Sequence, residues 1–358
     1  MKKRVCDVLI IGAGPAGASA ALAAANHNLR VIVVELHPVV GVPVRCAEYI
    51  PAPLLGELAP HTSDTSYLVQ RLSGMRTILP NGTVKEIRAP GFTIHRDRFD
   101  QILIETAKKA GAQVLLDTRA VGRKDKIVTV KSSDGSPTEI EAEVIIGADG
   151  PHTTVGKWIG ISNRHLMPAA QARVPLTEAM DVTEVYFDPE VFGGYVWLFP
   201  KGDHANLGLG IQRNRETPVA LKKLLFRFID RFHSDGKIKN NVLGFTAGWI
   251  PAGRPRNVVC QNILLAGDAA GHTHPITGAG IYHAVICGQM AGKWAARAVK
   301  KKDLKVLNGY EAEWRDLLED VLERAYLKRK TLEANWTTRL DEIIPQCWVA
   351  FKEYYGRP

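Results

Sequence analysis

The chain has 358 residues, of which 46% are hydrophobic and 23% charged, and a formal net charge of +9. Those values fit a globular protein long enough for a large core in two lobes. No apolar run reaches the ~18 residues of a bilayer-spanning helix. Five scattered cysteines (Cys6, Cys46, Cys260, Cys287, Cys347) include no CxxC pair, which argues against a zinc site or disulfide framework and fits a reducing cytoplasm.

In chain order, Met1-Lys-Lys-Arg4 and the apolar, alanine-rich run behind it mimic a secretory signal. The glycines inside that run argue for a βαβ unit instead. Val8–Ile11 reads as a buried strand and stops at Gly12-Ala-Gly14-Pro15-Ala16-Gly17; Arg30-Val-Ile-Val-Val-Glu35 reads as the next strand. Gly12 allows a tight turn, Gly14 lets a pyrophosphate approach the backbone at Pro15 and Ala16, and Gly17 allows close helix packing. The helix N-terminus then faces the phosphates with positive partial charge. Glu35 ends the second strand, where a carboxylate accepts hydrogen bonds from ribose hydroxyls and repels a 2′-phosphate. This favours FAD or NAD over NADP. The plain alternative is a structural glycine turn with a surface glutamate.

Residues 72–94 contain the turn signal Pro80-Asn-Gly82 and read as a hairpin. A helix is expected from Arg98 to Ala110, then strands near Val114, Ile127 and Val144, the last ending at Gly147-Ala-Asp149-Gly150. Residues 165–250 carry antiparallel-strand patterns: Glu184-Val-Tyr-Phe187, Gly194-Tyr195-Val-Trp197-Leu-Phe199 and Ala205-Asn-Leu-Gly-Leu-Gly-Ile211. Alternation puts Tyr195, Trp197 and Phe199 on one face, either as core packing or as the wall of an apolar substrate pocket. An amphipathic helix is expected near Val219–Phe232. Ile263-Leu-Leu-Ala266 runs into Gly267-Asp268-Ala-Ala-Gly271, where Asp268 would hold the ribityl chain of a flavin, cap a helix, or both. A long alanine-rich helix spans Gly280–Val299. Beyond Lys305, helical spacing places Tyr310, Trp314, Leu317, Leu318, Val321 and Leu322 on one face, a helical cap or a partner surface.

Three buried-strand patterns that each stop at glycine imply one crevice at the carboxyl ends of a parallel sheet, the place where open α/β sheets bind ligands. Together the segments fit a single FAD site. The expected fold is α/β: a discontinuous Rossmann-type FAD-binding lobe (1–71, 95–164 and 251–304), an antiparallel β-sheet substrate lobe (72–94 and 165–250) and a helical C-terminus (305–358).

With these motifs in this order, the chain resembles the FAD-dependent group that includes aromatic hydroxylases, tryptophan-type halogenases and geranylgeranyl reductases, over about residues 5–300. Gly278-Ala279-Gly280 after Pro275 belongs to the same pattern and is implied at the cofactor. The resemblance also implies that Arg98, in His95-Arg-Asp-Arg98-Phe-Asp100, points at the cofactor. Tyr195-Val-Trp197-Leu-Phe199-Pro200 resembles the YxWxFP substrate-pocket motif of the geranylgeranyl reductase branch. Arg45-Cys46-Ala-Glu48 matches the place where that branch sets a cysteine near the flavin. The branch has glycines after the cysteine, where this chain has Ala47, Glu48 and Tyr49.

The resemblance implies a reductase that saturates carbon–carbon double bonds of an isoprenoid or similar lipid, with hydride from N5 of reduced FAD. Cys46, Glu48, Tyr195, His272 and His274 are the candidates for the proton relay; Cys46 packing against the ring is the alternative. Electrons would come from NAD(P)H or a small carrier such as ferredoxin. A flavin monooxygenase, a redox-neutral cyclase or isomerase, and a flavin-binding regulatory protein are the competing readings. Basic clusters at Lys2–Arg4, Lys300–Lys305 and Lys328–Lys330 accompany no nucleic-acid motif. They read as solvated helix ends and loops, or as contacts of a cytoplasmic protein with an anionic membrane surface.

Overall fold

A computed structural model describes residues 2–212, 220–254 and 256–356. The amino-terminal half runs β1 (Lys2–Ile11), α1 (Pro15–Ala25), β2 (Val31–Val34), β3 (Tyr49–Pro51), α2 (Pro53–Leu58), β4 (Leu68–Ile78), β5 (Val84–Ile94), α3 (Arg96–Lys109), β6 (Gln113–Leu115), β7 (Thr118–Lys124), β8 (Ile127–Ser132), β9 (Pro137–Gly147) and α4 (Thr154–Trp158). It continues through β10 (Leu166–Pro175), β11 (Val182–Tyr186), β12 (Tyr195–Lys201), β13 (His204–Gly210), α5 (Leu221–Ser234), β14 (Gly244–Pro251), β15 (Val259–Cys260) and β16 (Ile263–Leu265). Three helices close the chain: α6 (Ile281–Lys301), α7 (Asn308–Ala334) and α8 (Leu340–Cys347).

The first sheet has the order β15-β16-β9-β1-β2-β6, with β8 and β7 added beside β9. Its central strands are parallel and four-square apolar, as in β2, because helices cover them. The three strands that stop at glycine are neighbours: Ile11 pairs with Gly147, and Gly147 with Leu265. The three glycine-rich turns therefore share one end of the sheet.

Almost every residue of α1 is buried. Its alanines exist because α6 crosses it at backbone range. A Cβ on Gly288 would lie 2.2 Å from the Ala16 carbonyl oxygen, and one on Gly292 would lie 2.3 Å from that of Ala20. The signal-like amino terminus is thus a buried strand and helix of the core.

The second sheet runs β14-β10-β13-β12-β11-β4-β5-β3. It is antiparallel except for β11 beside β4, which pair in parallel. One face packs on α5 through Leu224, Leu225, Phe228, Ile229 and Phe232, against Ala170, Ala172, Val196 and Leu198. Alternation leaves the other face for a cavity. The sheet takes in β3 and all of β4, so it begins ahead of the expected residue 72. The expected helix start at Val219 lies outside the described residues.

In α7 the buried stripe is Tyr310, Trp314, Leu318, Leu322, Ala325 and Leu332, while Leu317 and Val321 are exposed. Those two sit about 100° around the helix from Leu318 and Leu322, which turns them to solvent. The Lys328–Lys330 cluster is not a basic surface either. Lys328 and Arg329 are buried, and Lys330 pairs with Glu333. The Arg329 guanidinium donates to the carbonyls of Pro275 and Gly193, at 2.9 and 2.8 Å, and so ties α7 to both sheets' loops.

Candidate active site

Between the two sheets lies a cavity of about 560 Å³, within the range of small-molecule sites. One wall is the glycine crevice, with Gly14, Pro15, Ala16, Ala148, Gly150, Asp268 and Gly278-Ala279-Gly280. No side chain caps the amino end of α1, and nothing lies within 4 Å of where a Gly14 Cβ would be. Unclaimed amides beside open space suit a pyrophosphate, so these residues fit FAD. Gly12, Gly17 and Gly267 stand behind the wall and shape it. Gly12 has φ +101°, and a Cβ there would meet the Ala148 carbonyl at 2.3 Å.

Glu35 ends beside β2 as expected. Its Oε2 accepts from the Ala13 amide at 2.8 Å, and its Oε1 from the His37 amide at 2.9 Å, which sets the carboxylate against the first glycine turn. Burial pushes the Asp268 carboxyl above the usual carboxylate range. The Thr273 hydroxyl, which donates to it at 2.7 Å, and the charge of Arg96 oppose that shift.

Arg98 is not at this wall. It is half exposed and faces Ser66 and Asp64 on the surface. Arg96 lines the cavity instead, held by a bidentate pair with Asp100 at 2.8 and 2.9 Å. The two arginines are separated by about 200° around α3, so only one of them turns inward. Arg45 lines the cavity too, with its side chain exposed.

The opposite wall is the free face of the second sheet. Tyr195, Trp197 and Phe199 lie on it with Gln171, Thr183, Val185, Met75 and Ile87. The Trp197 indole crosses the strand beside it at Gly208, where an added Cβ would meet the ring at 2.4 Å. Its Nε1 donates to Gln171 Oε1 at 2.9 Å, and Gln171 Nε2 donates to the Cys46 carbonyl at 3.1 Å. Trp348, Val349 and Tyr355 complete the lining from behind α8. Trp348 packs its ring against Tyr195 and Phe187, each at 5.1 Å, and donates to Thr77.

Cys46 lines the cavity, and the Glu48 amide donates to its Sγ at 3.2 Å. Burial pushes the thiol up; the Arg96 charge opposes this. The sulfur is therefore protonated at neutral pH.

Glu48 is fully engaged, which counts against its expected part as an acid. Its Oε1 accepts from the Arg96 amide at 3.0 Å, and its Oε2 from Lys201 at 2.7 Å and Asn206 at 3.1 Å. Its backbone has φ +65°, a region that costs a side-chain-bearing residue energy. Lys201 ends the stripe that begins with Tyr195, Trp197 and Phe199, two residues apart.

The expected proton donor His274 is a structural residue. It does not line the cavity, and burial pushes it down to about 3. The Thr277 amide donates to its Nδ1 at 3.2 Å, which leaves the proton on Nε2, 3.3 Å from the Tyr354 hydroxyl. His272 is also buried and pushed down to about 3, against the Trp314 ring. Tyr195 donates its hydroxyl to the Thr277 carbonyl, and burial raises its pKa.

Arg96, Gln171, Lys201, Asn206 and Trp348 had no motif of their own. The alternation that marks Tyr195, Trp197 and Phe199 does extend to Lys201.

Residues 7–151 match the family model "FAD dependent oxidoreductase", and residues 167–250 match "Geranylgeranyl reductase catalytic domain". A digeranylgeranylglycerophospholipid reductase of Methanothrix thermoacetophila is 36% identical over 332 residues, 87% of this chain and 83% of the relative. That of Methanocaldococcus jannaschii is 32% identical over 356 residues, 95% of this chain and 90% of the relative. A geranylgeranyl bacteriochlorophyll reductase-like structure from Thermoplasma acidophilum superposes with a TM-score of 0.84 at 27% identity, covering 95% of this chain and 92% of that one. A probable FAD-dependent monooxygenase from Pseudomonas aeruginosa, at 19% identity and TM-score 0.69, shares the fold, with 95% of this chain and all of that one covered. The glycine crevice, the aromatic wall and these relatives agree: the chain belongs to the geranylgeranyl reductase family of FAD-dependent oxidoreductases.

Proposed function

We propose that the protein reduces carbon–carbon double bonds in the isoprenoid chains of a glycerophospholipid. The observation that carries this reading is one continuous cavity, which joins a dinucleotide crevice to a wall of Tyr195, Trp197, Phe199, Trp348 and aliphatic side chains. Such a wall excludes water and holds an extended apolar chain. The names of the relatives at 32–36% identity point to the same substrate class.

When bound in its reduced form, FAD supplies the hydride equivalent to one alkene carbon. The other carbon then needs a proton. Cys46 is the group that supports this role: it is protonated, it lines the cavity, and its sulfur accepts from the Glu48 amide and the Arg96 side chain, which leaves its S–H free to donate. Its proton goes to the substrate, and solvent restores it. Glu48, Tyr195 and His274 are held by other partners. Arg96 fixes the cysteine loop by its amide and keeps a positive charge near Asp268. In the same reading, electrons reach the flavin from NAD(P)H or a small carrier such as ferredoxin.

The test is anaerobic single turnover of the reduced holoenzyme with a prenylated glycerophospholipid, with the product mass recorded. A gain of two hydrogens per bond is expected. A gain of oxygen under air would make the protein a hydroxylase, and unchanged mass an isomerase.

A further inference from the structure

Helix α5 is buried along one side, yet it presents Phe226 to solvent on the other, 37% exposed. Phe226 packs against Phe245, itself 50% exposed, with ring centroids 5.3 Å apart. Leu243, two residues before Phe245, is also exposed. Phe245 belongs to β14, the outer strand of the second sheet among the described residues. The Lys222 ammonium lies over both rings, 5.8 Å from one centroid and 5.7 Å from the other. Lys223 is exposed beside it. Neither lysine has an ion-pair partner among the described residues, whereas Arg227 and Arg231, further along α5, are paired with Glu190 and Asp188.

The next residues of the same strand, Thr246, Ala247 and Gly248, line the cavity. Thr246 also holds the 36–45 loop, by donating to the Val44 carbonyl at 2.7 Å, and exposed Val42 belongs to that loop.

We propose that Phe226, Leu243 and Phe245, with Lys222 and Lys223, form a docking surface for an anionic lipid bilayer. Exposed aromatic and aliphatic side chains enter the boundary between headgroups and acyl chains, and lysines without an ion-pair partner among the described residues meet anionic headgroups. The Lys222 ammonium sits over the two rings and Lys223 is exposed beside it, so the charge lies at the edge of the apolar patch. The patch is far smaller than the roughly 20–30 residues a side of a standard protein interface, which favours a lipid surface over a second protein. The assignment rests on the proposed lipid substrate only for its purpose, which is to keep the enzyme at the membrane where such a substrate resides.

The experiment is co-sedimentation of FAD-loaded protein with phosphatidylcholine vesicles, with and without phosphatidylglycerol and free of prenyl lipid. Binding is expected to the mixed vesicles and to weaken as salt rises. Phe226→Ser with Phe245→Ser should lower the affinity about tenfold. Lys222→Gln with Lys223→Gln should lower it roughly twenty- to thirtyfold. Both variants should keep parent flavin content and parent turnover of detergent-dispersed substrate. Parent-like vesicle binding by both variants would overturn the proposal. So would a change in oligomeric state with vesicle binding intact, since the patch would then be a contact between copies of this chain. Failure of the substrate reading shows separately, in the product mass.

Discussion

Glu48 and Lys201, 153 residues apart, form an ion pair at 2.7 Å in which both side chains are buried. The pair holds the cysteine loop against the end of β12. It lies where the resemblance implies glycine and this chain has Glu48. The backbone at Glu48 keeps a left-handed φ of +65°, which glycine adopts freely, and the ion pair offsets that strain. Glu48→Gln should cost about 3–5 kcal/mol, because it leaves the buried Lys201 charge uncompensated. Adding Lys201→Met should recover a large part of that loss. Urea midpoints of the two single variants and the double variant measure the coupling; additive losses would mean the pair contributes no specific interaction.

Cys46→Ala should slow product formation about a hundredfold or more if the thiol supplies the proton, with one FAD still bound per chain. The wild-type rate should hold from neutral pH past the thiol's ordinary value of 9.0 and fall above it, because burial raises the thiol further. Stopped-flow reoxidation of the flavin by substrate, followed across pH, reads both effects. Normal turnover by the alanine variant would reduce Cys46 to packing.

His272 and His274 are pushed down to about 3 from an ordinary 6.5. Both are neutral in the folded protein at any pH above about 3, whereas the unfolded chain protonates them near 6.5. Their contribution is therefore complete above pH 6.5 and is lost as the pH falls from there towards 3. Each pH unit in that window costs up to about 1.4 kcal/mol per histidine. His274→Asn keeps an acceptor for the Thr277 amide and removes one titrating group. Urea midpoints at about pH 7 and pH 5 should then differ by one histidine's share less than in the parent. An unchanged difference would mean that His274 takes up no proton on unfolding.

The glycine crevice was legible because each of its parts is local: a strand, a turn that only glycine makes, and a helix start. Their convergence followed from the strand-end rule for parallel sheets. The resemblance points to Arg98 because a motif gives the neighbourhood, whereas helix rotation decides which side chain turns inward, and here it is Arg96. Leu317 and Val321 failed for the same reason, by one residue. Gln171, Asn206 and Trp348 carried no local signal, since their contacts come from strand register and from a carboxyl-terminal segment that folds back more than 150 residues in sequence.

Gly208 shows how strand register shapes the cavity wall. It pairs with Trp197 on one side and Gln171 on the other, so the indole lies across it to reach the Gln171 amide. Gly208→Ala would place a methyl group 2.4 Å from the ring and 2.7 Å from the Ala170 carbonyl oxygen, so the β10 backbone must give as well. The indole must then lift into the cavity and give up its 2.9 Å hydrogen bond. Stability should fall by about 1–3 kcal/mol from overpacking, with FAD content unchanged because the crevice is on the opposite wall. The substrate KM should rise more than kcat falls, since the lifted ring takes space from the lipid chain. Trp197→Phe in the same background should relieve the contact with the ring and recover the KM in part, while the contact with the Ala170 carbonyl keeps the loss of stability. A Gly208→Ala enzyme with parent kinetics would show that the substrate does not lie along this face.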